Sequence, residues 1–264
     1  CLNVGYNIGK SLASFSNKAL FSINHLEGHA LSPSIENKIS FPYLLLLISG
    51  GHSQYLIVNG VGDYKQIGTT IDDAVGEAFD KTAKILKLGY PGGPQIEKVA
   101  KFGNKNTFKL PEPIINRGGC NLSLAGLKTA VLRKSKEISL EKEKYNLAAS
   151  FQETIKKILF KKTKLAMEEF EKKKNKHSKN FFVIAGGVAA NKVIRKSLVE
   201  LCKKKEFVPI FPSKEFCSDN AAMIAWAGIQ RYKKKLFDKE NILVHSRWPL
   251  DKTAPFLKGP GIKL

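Results

Sequence analysis

Residues 41–49 read Phe-Pro-Tyr-Leu-Leu-Leu-Leu-Ile-Ser and stop at Gly50-Gly51. A strand that is apolar on successive residues has no polar face, so chain must cover it on both sides. Two further runs follow at once, Gln54–Asn59 and Asp63–Gly68. Strand, Ser-Gly-Gly turn, strand, turn, strand is a β-meander whose first member is buried on both faces. The apolar core of the first run, Tyr43–Ser49, is about seven residues, far below the ~20 that cross a membrane.

Around this meander the chain alternates helical and extended patterns. Helices are expected over 1–18, His25–Leu31, 72–87, 94–102, Ser123–Lys134, Glu141–Lys174, Ala189–Cys202 and Asp219–Lys234. Asn24 is a candidate N-cap for the second of them. Strands are expected at Ala19–Ile23, Phe181–Ala185 and Phe207–Phe211, with a charged turn over Lys172–Lys179. That order specifies an α/β fold with a mixed sheet and helices on its faces.

Lys and Arg number 44 against 23 Asp and Glu, a formal net charge of +21. Such an excess points to a polyanionic partner, nucleic acid first and an anionic membrane surface second. A lysine-rich composition spread over helical faces explains it equally well. The four cysteines, at 1, 120, 202 and 217, form neither a CxxC pair nor a disulfide framework. The simplest reading is a reduced, cytoplasmic protein.

Four constellations could carry chemistry. In His25-Leu26-Glu27-Gly28-His29 the two imidazoles stand at i and i+4, on one helix face, close enough to bind one metal or simply to be solvated. A zinc-protease motif would carry Glu directly after the first His. Glu27 instead lies about 200° around the helix from His25, away from that face. Ser49-Gly50-Gly51-His52 and Ala185-Gly186-Gly187-Val188 each follow a strand, as phosphate-cradling turns or merely tight ones. With Tyr90-Pro91-Gly92-Gly93-Pro94 they fit one nucleotide cleft fed from several strands. Asp72 and Asp73 suit a helix N-terminus, and Glu77 and Asp80 share one helix face. Asp219 is either the cap of the last helix, the default expectation, or a third, hard metal ligand.

These segments occur in the order and spacing of a known family. Asn24–His29, Ile48–His52, Asp72–Lys84, Tyr90–Pro94, Ser123–Thr129, Ala185–Asn191, Phe216–Met223 and Arg247-Trp248-Pro249 carry the resemblance, which spans nearly the whole chain. The sequence resembles the tRNA N6-adenosine threonylcarbamoyltransferase family (TsaD/Gcp), acyltransferases once called O-sialoglycoprotein endopeptidases. The resemblance implies the actin/hexokinase-like (ASKHA) fold, two RNase H-like lobes around a nucleotide cleft. It implies transfer of threonylcarbamoyl from L-threonylcarbamoyladenylate to N6 of adenosine 37 in tRNAs reading ANN codons, with release of AMP. No residue is implied as a protein nucleophile. The implied metal ligands are His25, His29 and Asp219, for Fe2+ or alternatively Zn2+. The implied substrate-binding residues are Ile48, Ser49, Gly50, Gly51, His52, Asp80, Gly93, Glu97 and Asn191, where Glu97 replaces the Asp of many relatives. TsaB-like and TsaE-like proteins are the implied partners of a bacterial member, with no membrane association.

Relatives carry a further N-terminal segment that includes the first phosphate hairpin. Residues 1–40 are therefore expected to be a remnant of the N-terminal lobe carrying the HxxxH helix. Residues 41–264 are expected to form the C-terminal lobe, with a helical insertion at about 70–180. Three rival readings follow from the same residues: an ATPase or phosphotransferase of the same fold, a metalloprotease, and a non-catalytic truncated scaffold.

Overall fold

The computed structural model describes residues 1–173, 179–238, 244–245 and 248–255. Residues 174–178 of the expected charged turn, and Arg247 of the Arg247-Trp248-Pro249 motif, lie outside them. The strands are β1 (Tyr43–Ile48), β2 (Ser53–Gly60), β3 (Asp63–Thr69), β4 (Asn180–Ala185) and β5 (Phe207–Ile210). They form one sheet in the order β3-β2-β1-β4-β5. β2 runs antiparallel to β1 and to β3, while β4 pairs parallel with β1 and β5 parallel with β4. Leu46 sits opposite Tyr55 on one side and Ile184 on the other. This is a mixed sheet, and the α/β class expected from the sequence is the class observed.

β1 is central, and each of its six residues is buried. Leu44, Leu46 and Ile48 face the larger core, with Phe79, Phe151, Ile155 and Phe182. Tyr43, Leu45 and Leu47 face a smaller core with Leu26 and Ala30. The unbroken apolar run is thus the signature of a strand with a core on each side.

The helices are α1 (Leu2–Phe15), α2 (His25–Leu31), α3 (Val75–Ile85), α4 (Gly92–Ala100), α5 (Ala125–Ser135), α6 (Glu141–Lys173), α7 (Lys192–Lys204), α8 (Lys214–Cys217) and α9 (Ala221–Lys233). The chain between β3 and β4 adds α3 to α6 to the larger core and no strand to the sheet. Leu147, Phe151, Ile155, Ile158, Leu159, Met167 and Phe170 make the buried stripe of α6. α2 covers the opposite face.

Two local expectations are corrected. Ala19–Ile23 is not a strand; Phe21 packs against Tyr232 and Phe237, and the Ser22 amide donates to the Asp238 carboxylate. Among the described residues no strand pairs with this segment. Asp72 and Asp73 precede α3 but do not cap it. The Asp72 carboxylate accepts from Ser123 Oγ and the Leu124 amide, at the start of α5. Asp73 is buried between Lys81 and Lys128, each 2.9 Å away. Burial raises its pKa, but the two ammonium groups outweigh that and hold it below the usual carboxylate range. The Glu77 carboxylate, which reaches the Ala74 amide, closes the N-terminus of α3 instead.

The carboxyl end of β1 is where backbones meet most closely. Gly186, at φ +93°, lies against the Ile48 carbonyl, so that a Cβ there would come within 2.4 Å of the oxygen. Gly76 in the first turn of α3 donates its amide to the Ser49 carbonyl at 3.1 Å. A Cβ on Gly76 would sit 2.5 Å from that oxygen and 2.8 Å from Gly50. Both sites demand glycine, one by handedness and contact together, the other by contact. Gly186→Ala is expected to destabilise the protein by about 1–3 kcal/mol, whereas Gly51→Ala, with open space at its Cβ position, shifts stability by less than about 0.5 kcal/mol. Denaturant melts of the two variants check this; equal stabilities would contradict the packing account.

Candidate functional site

α2 is only seven residues long, yet six of them are buried. Asn24 caps it, its side chain accepting from the Leu26 amide at 2.9 Å, while its Nδ2 donates to the Trp248 carbonyl. His25 and His29 follow at i and i+4, with ring centroids 4.9 Å apart. Their Nε2 atoms converge on one oxygen of Asp219, at 3.3 Å from His25 and 2.9 Å from His29. Asp219 is not the helix cap. Asn220 takes that role, its side chain accepting from the Met223 amide at 2.8 Å, which leaves the Asp219 carboxylate exposed and turned to the histidines.

One ligand atom from each of the three residues lies within 4.8 Å of the others, two imidazoles and a carboxylate. That donor set fits a divalent cation of the Fe2+ or Zn2+ class, with three protein ligands and room for a substrate atom. The His29 ring supports the fit. Burial lowers its pKa, so the ring is neutral near pH 7, and its Nδ1 is buried without a hydrogen-bond partner. A cation between Nε2 and Asp219 would align the imidazole lone pair and the carboxylate on one positive charge.

Two of the three residues, His29 and Asp219, line a cleft of about 600 Å³, and His25 stands outside its lining. His29, Ser218 and Asp219 form part of its wall, with Ser49 and Gly50 from the turn after β1 and Gly187, Val188, Ala190 and Asn191 from the turn after β4. Asp80, Tyr90, Pro91, Gly93 and Glu97 close it from α3, α4 and the loop between them. The Asp80 carboxylate accepts from the Gly92 amide at 2.7 Å, and Glu97 from the Lys192 amide at 2.8 Å. Asn191 caps α7 through Oδ1, while its Nδ2 donates to Gln152 at 2.9 Å, so both ends of its carboxamide are engaged.

Of the residues singled out by sequence, Ser49, Gly50, Asp80, Gly93, Glu97 and Asn191 line this cleft with His29 and Asp219. Ile48, Gly51 and His52 do not. Ile48 is buried at the end of β1, and its carbonyl faces Gly186. His52 closes the turn, its carbonyl accepting from the Ser49 amide at 2.8 Å and its amide donating to Ser49 Oγ at 3.1 Å. Its ring feels desolvation first, then His25 and His29, and all three lower its pKa. Gly187 lines the cleft from the glycine turn singled out by sequence, whereas Gly76 and Cys217 gained no role from sequence; the glycine inside the first turn of α3 was the one available signal. Glu27 is fully buried behind the triad, paired with Arg231 at 2.6 Å and accepting from Tyr64 at 2.8 Å. It cannot activate a water on the metal face, which removes the protease geometry.

Comparison with known proteins identifies the family. A family model described as TsaD, tRNA N6-adenosine threonylcarbamoyltransferase, matches residues 1–226. The chain belongs to that family. A curated relative from Pelagibacter ubique (strain HTCC1062), named tRNA N6-adenosine threonylcarbamoyltransferase, is 60% identical over 264 residues, which are 100% of this chain and 74% of the relative. One of the same name from Rickettsia rickettsii (strain Sheila Smith) is 50% identical over 251 residues, 94% of this chain and 73% of that protein. Among solved structures, HypF of T. kodakarensis superposes with a TM-score of 0.59 at 14% identity, over 87% of this chain and 39% of that one. The last likeness is one of fold.

The division of labour between Asp219 and Asn220 can be measured. Asn220→Ala is expected to lower folding stability by about 1 kcal/mol, the worth of an N-cap. Asp219→Ala should lower it less, because its carboxylate is exposed and holds no helix amide. Thermal melts in which Asp219→Ala is the more damaging would restore Asp219 as the cap.

Proposed function

We propose that this protein transfers the threonylcarbamoyl group from L-threonylcarbamoyladenylate to N6 of adenosine 37 in tRNAs reading ANN codons, releasing AMP. The observation that carries this reading is convergence: His29 and Asp219, grouped with His25, line one cleft with the glycine turns after β1 and β4, in a chain of this family. The carbamoyl carbon of a mixed anhydride already bears AMP as a good leaving group. The N6 lone pair of adenosine attacks it, the carbonyl–phosphate C–O bond breaks with its electron pair leaving on AMP, and the amine proton passes to solvent.

No protein nucleophile is required. The reaction needs stabilisation of charge at the carbonyl and alignment of a weakly nucleophilic amine. When bound, a divalent cation, Fe2+ or alternatively Zn2+, supplies Lewis acidity at that carbonyl. His25, His29 and Asp219 are the residues that would hold it. Ser49, Gly50 and Gly187 present backbone to the phosphate, since no side chain obstructs approach at the glycines. Asp80 and Glu97 face the adenosine, and Gln152 fixes the orientation of Asn191 beside them.

The net charge of +21 supports tRNA as the polyanion. TsaB-like and TsaE-like proteins as partners and the cytoplasm as the compartment are part of the same proposal.

In cells depleted of the protein, mass spectrometry of tRNA is expected to show loss of t6A. The wild type should restore it, and His25→Ala and His29→Ala should not, although each folds. Restoration by both single variants would remove the triad from the reaction. Affinity for tRNA should fall by at least tenfold between about 50 and 200 mM salt, through release of phosphate counterions. Salt-insensitive binding would instead assign the lysine excess to composition.

A further inference from the structure

Beyond the three ligands, α2 carries a carboxylate that the reaction does not use. Glu27 lies between the two histidines in sequence, is fully buried, and points away from the cleft. Its Oε1 accepts from the Tyr64 hydroxyl of β3 at 2.8 Å, and its Oε2 pairs with Arg231 Nε at 2.6 Å. Arg231 stands in the last turn of α9, the helix whose opposite end adjoins Asp219. We propose that the Glu27–Arg231–Tyr64 cluster is a positioning device that seats α9 on α2, so that Asp219 meets His25 and His29 at metal-binding distance. This inference rests on the metal reading of the triad.

Burying a carboxylate is expensive unless it is paired, and an apolar residue of similar volume would fill the same space without that penalty. What the pair adds is selectivity. A shift of α9 by one helical turn, about 5.4 Å, would leave Glu27 buried without its cation. A second contact acts with it. Gly28 lies beneath Met223 and Ile224, where a Cβ would approach Ile224 to 3.0 Å and Met223 to 3.2 Å. Met223 and Arg231 are eight residues apart, about 12 Å along α9. Two contacts at that separation fix both slide and tilt of the helix. Asp219, immediately before the Asn220 cap, goes where that end of α9 goes. Neither Glu27 nor Arg231 lines the cleft, so both act through the ligands they place.

The test measures metal affinity and stability separately. Co2+ is titrated into the metal-free full chain and followed by its visible absorption. The variants are Glu27→Gln and the double variant Glu27→Met/Arg231→Met, and each is melted without metal. The double variant leaves no unpaired buried charge and should melt near the wild type. It should bind Co2+ 10–100-fold more weakly, with an altered absorption band. Glu27→Gln, isosteric and still able to hydrogen-bond, should weaken binding in the same direction with less disturbance of packing. Wild-type affinity and spectrum in the folded variants would overturn the positioning role and leave the metal reading intact. Failure of the wild type to bind Co2+, or binding indifferent to Asp219→Ala, would overturn the metal reading and this inference with it.

Discussion

The backbone around the carboxyl end of β1 is packed more closely than any side chain permits. Gly186 lies on the Ile48 carbonyl from one side, and Gly76 lies on Ser49 and Gly50 from the other. Three elements are joined there: the turn after β1, the turn after β4, and the first turn of α3. Each sends residues into the same cleft, Gly50 from the first, Asn191 from the second and Gly76 from the third. A cleft at the ends of parallel strands β1 and β4 follows from that contact, because the turns diverge to make a wall while their strands stay paired. The buried Asp73 between Lys81 and Lys128 and the Asp72 bonds to Ser123 and Leu124 tie α3 to α5, which secures the same wall from behind.

The other half of the site has a different physical basis. A seven-residue helix has little stability of its own, so α2 persists by burial against the sheet and α9. Leu26 and Ala30 join the core below Tyr43 and Leu45, which turns His25 and His29 outward to meet Asp219. One face of a short helix is therefore structural and the other chemical. Burial next to the sheet also holds His29 neutral, the form that binds a cation.

Much of this was legible in sequence because it follows from period and composition. The apolar run at 43–48 required a strand covered on both faces, and the mixed sheet with its central β1 is the result. The i, i+4 histidines and the angular displacement of Glu27 followed from helix geometry alone. What sequence could not separate was Asp219 from Asn220, adjacent residues that both make good caps. Only the position of His29, 190 residues away in the chain, decides between them. The partners of Asp72 and Asp73 were hidden for the same reason, since α5 and Lys128 lie far along the sequence. Ala19–Ile23 has strand-type residues but, among the described residues, no strand beside it to pair with. The net charge named a class of partner and no site, because lysines on helical faces are the ordinary way to be soluble as well as to bind a polyanion.

The account stands on one claim above others, that cation and nucleotide meet in a single cleft. Paramagnetic broadening of the phosphorus resonance of bound AMP by Mn2+ tests it directly. With the wild-type protein the account predicts strong broadening, abolished by Asp219→Ala while AMP binding persists. A phosphorus resonance that stays sharp with Mn2+ and AMP both bound would place them in separate sites and contradict it.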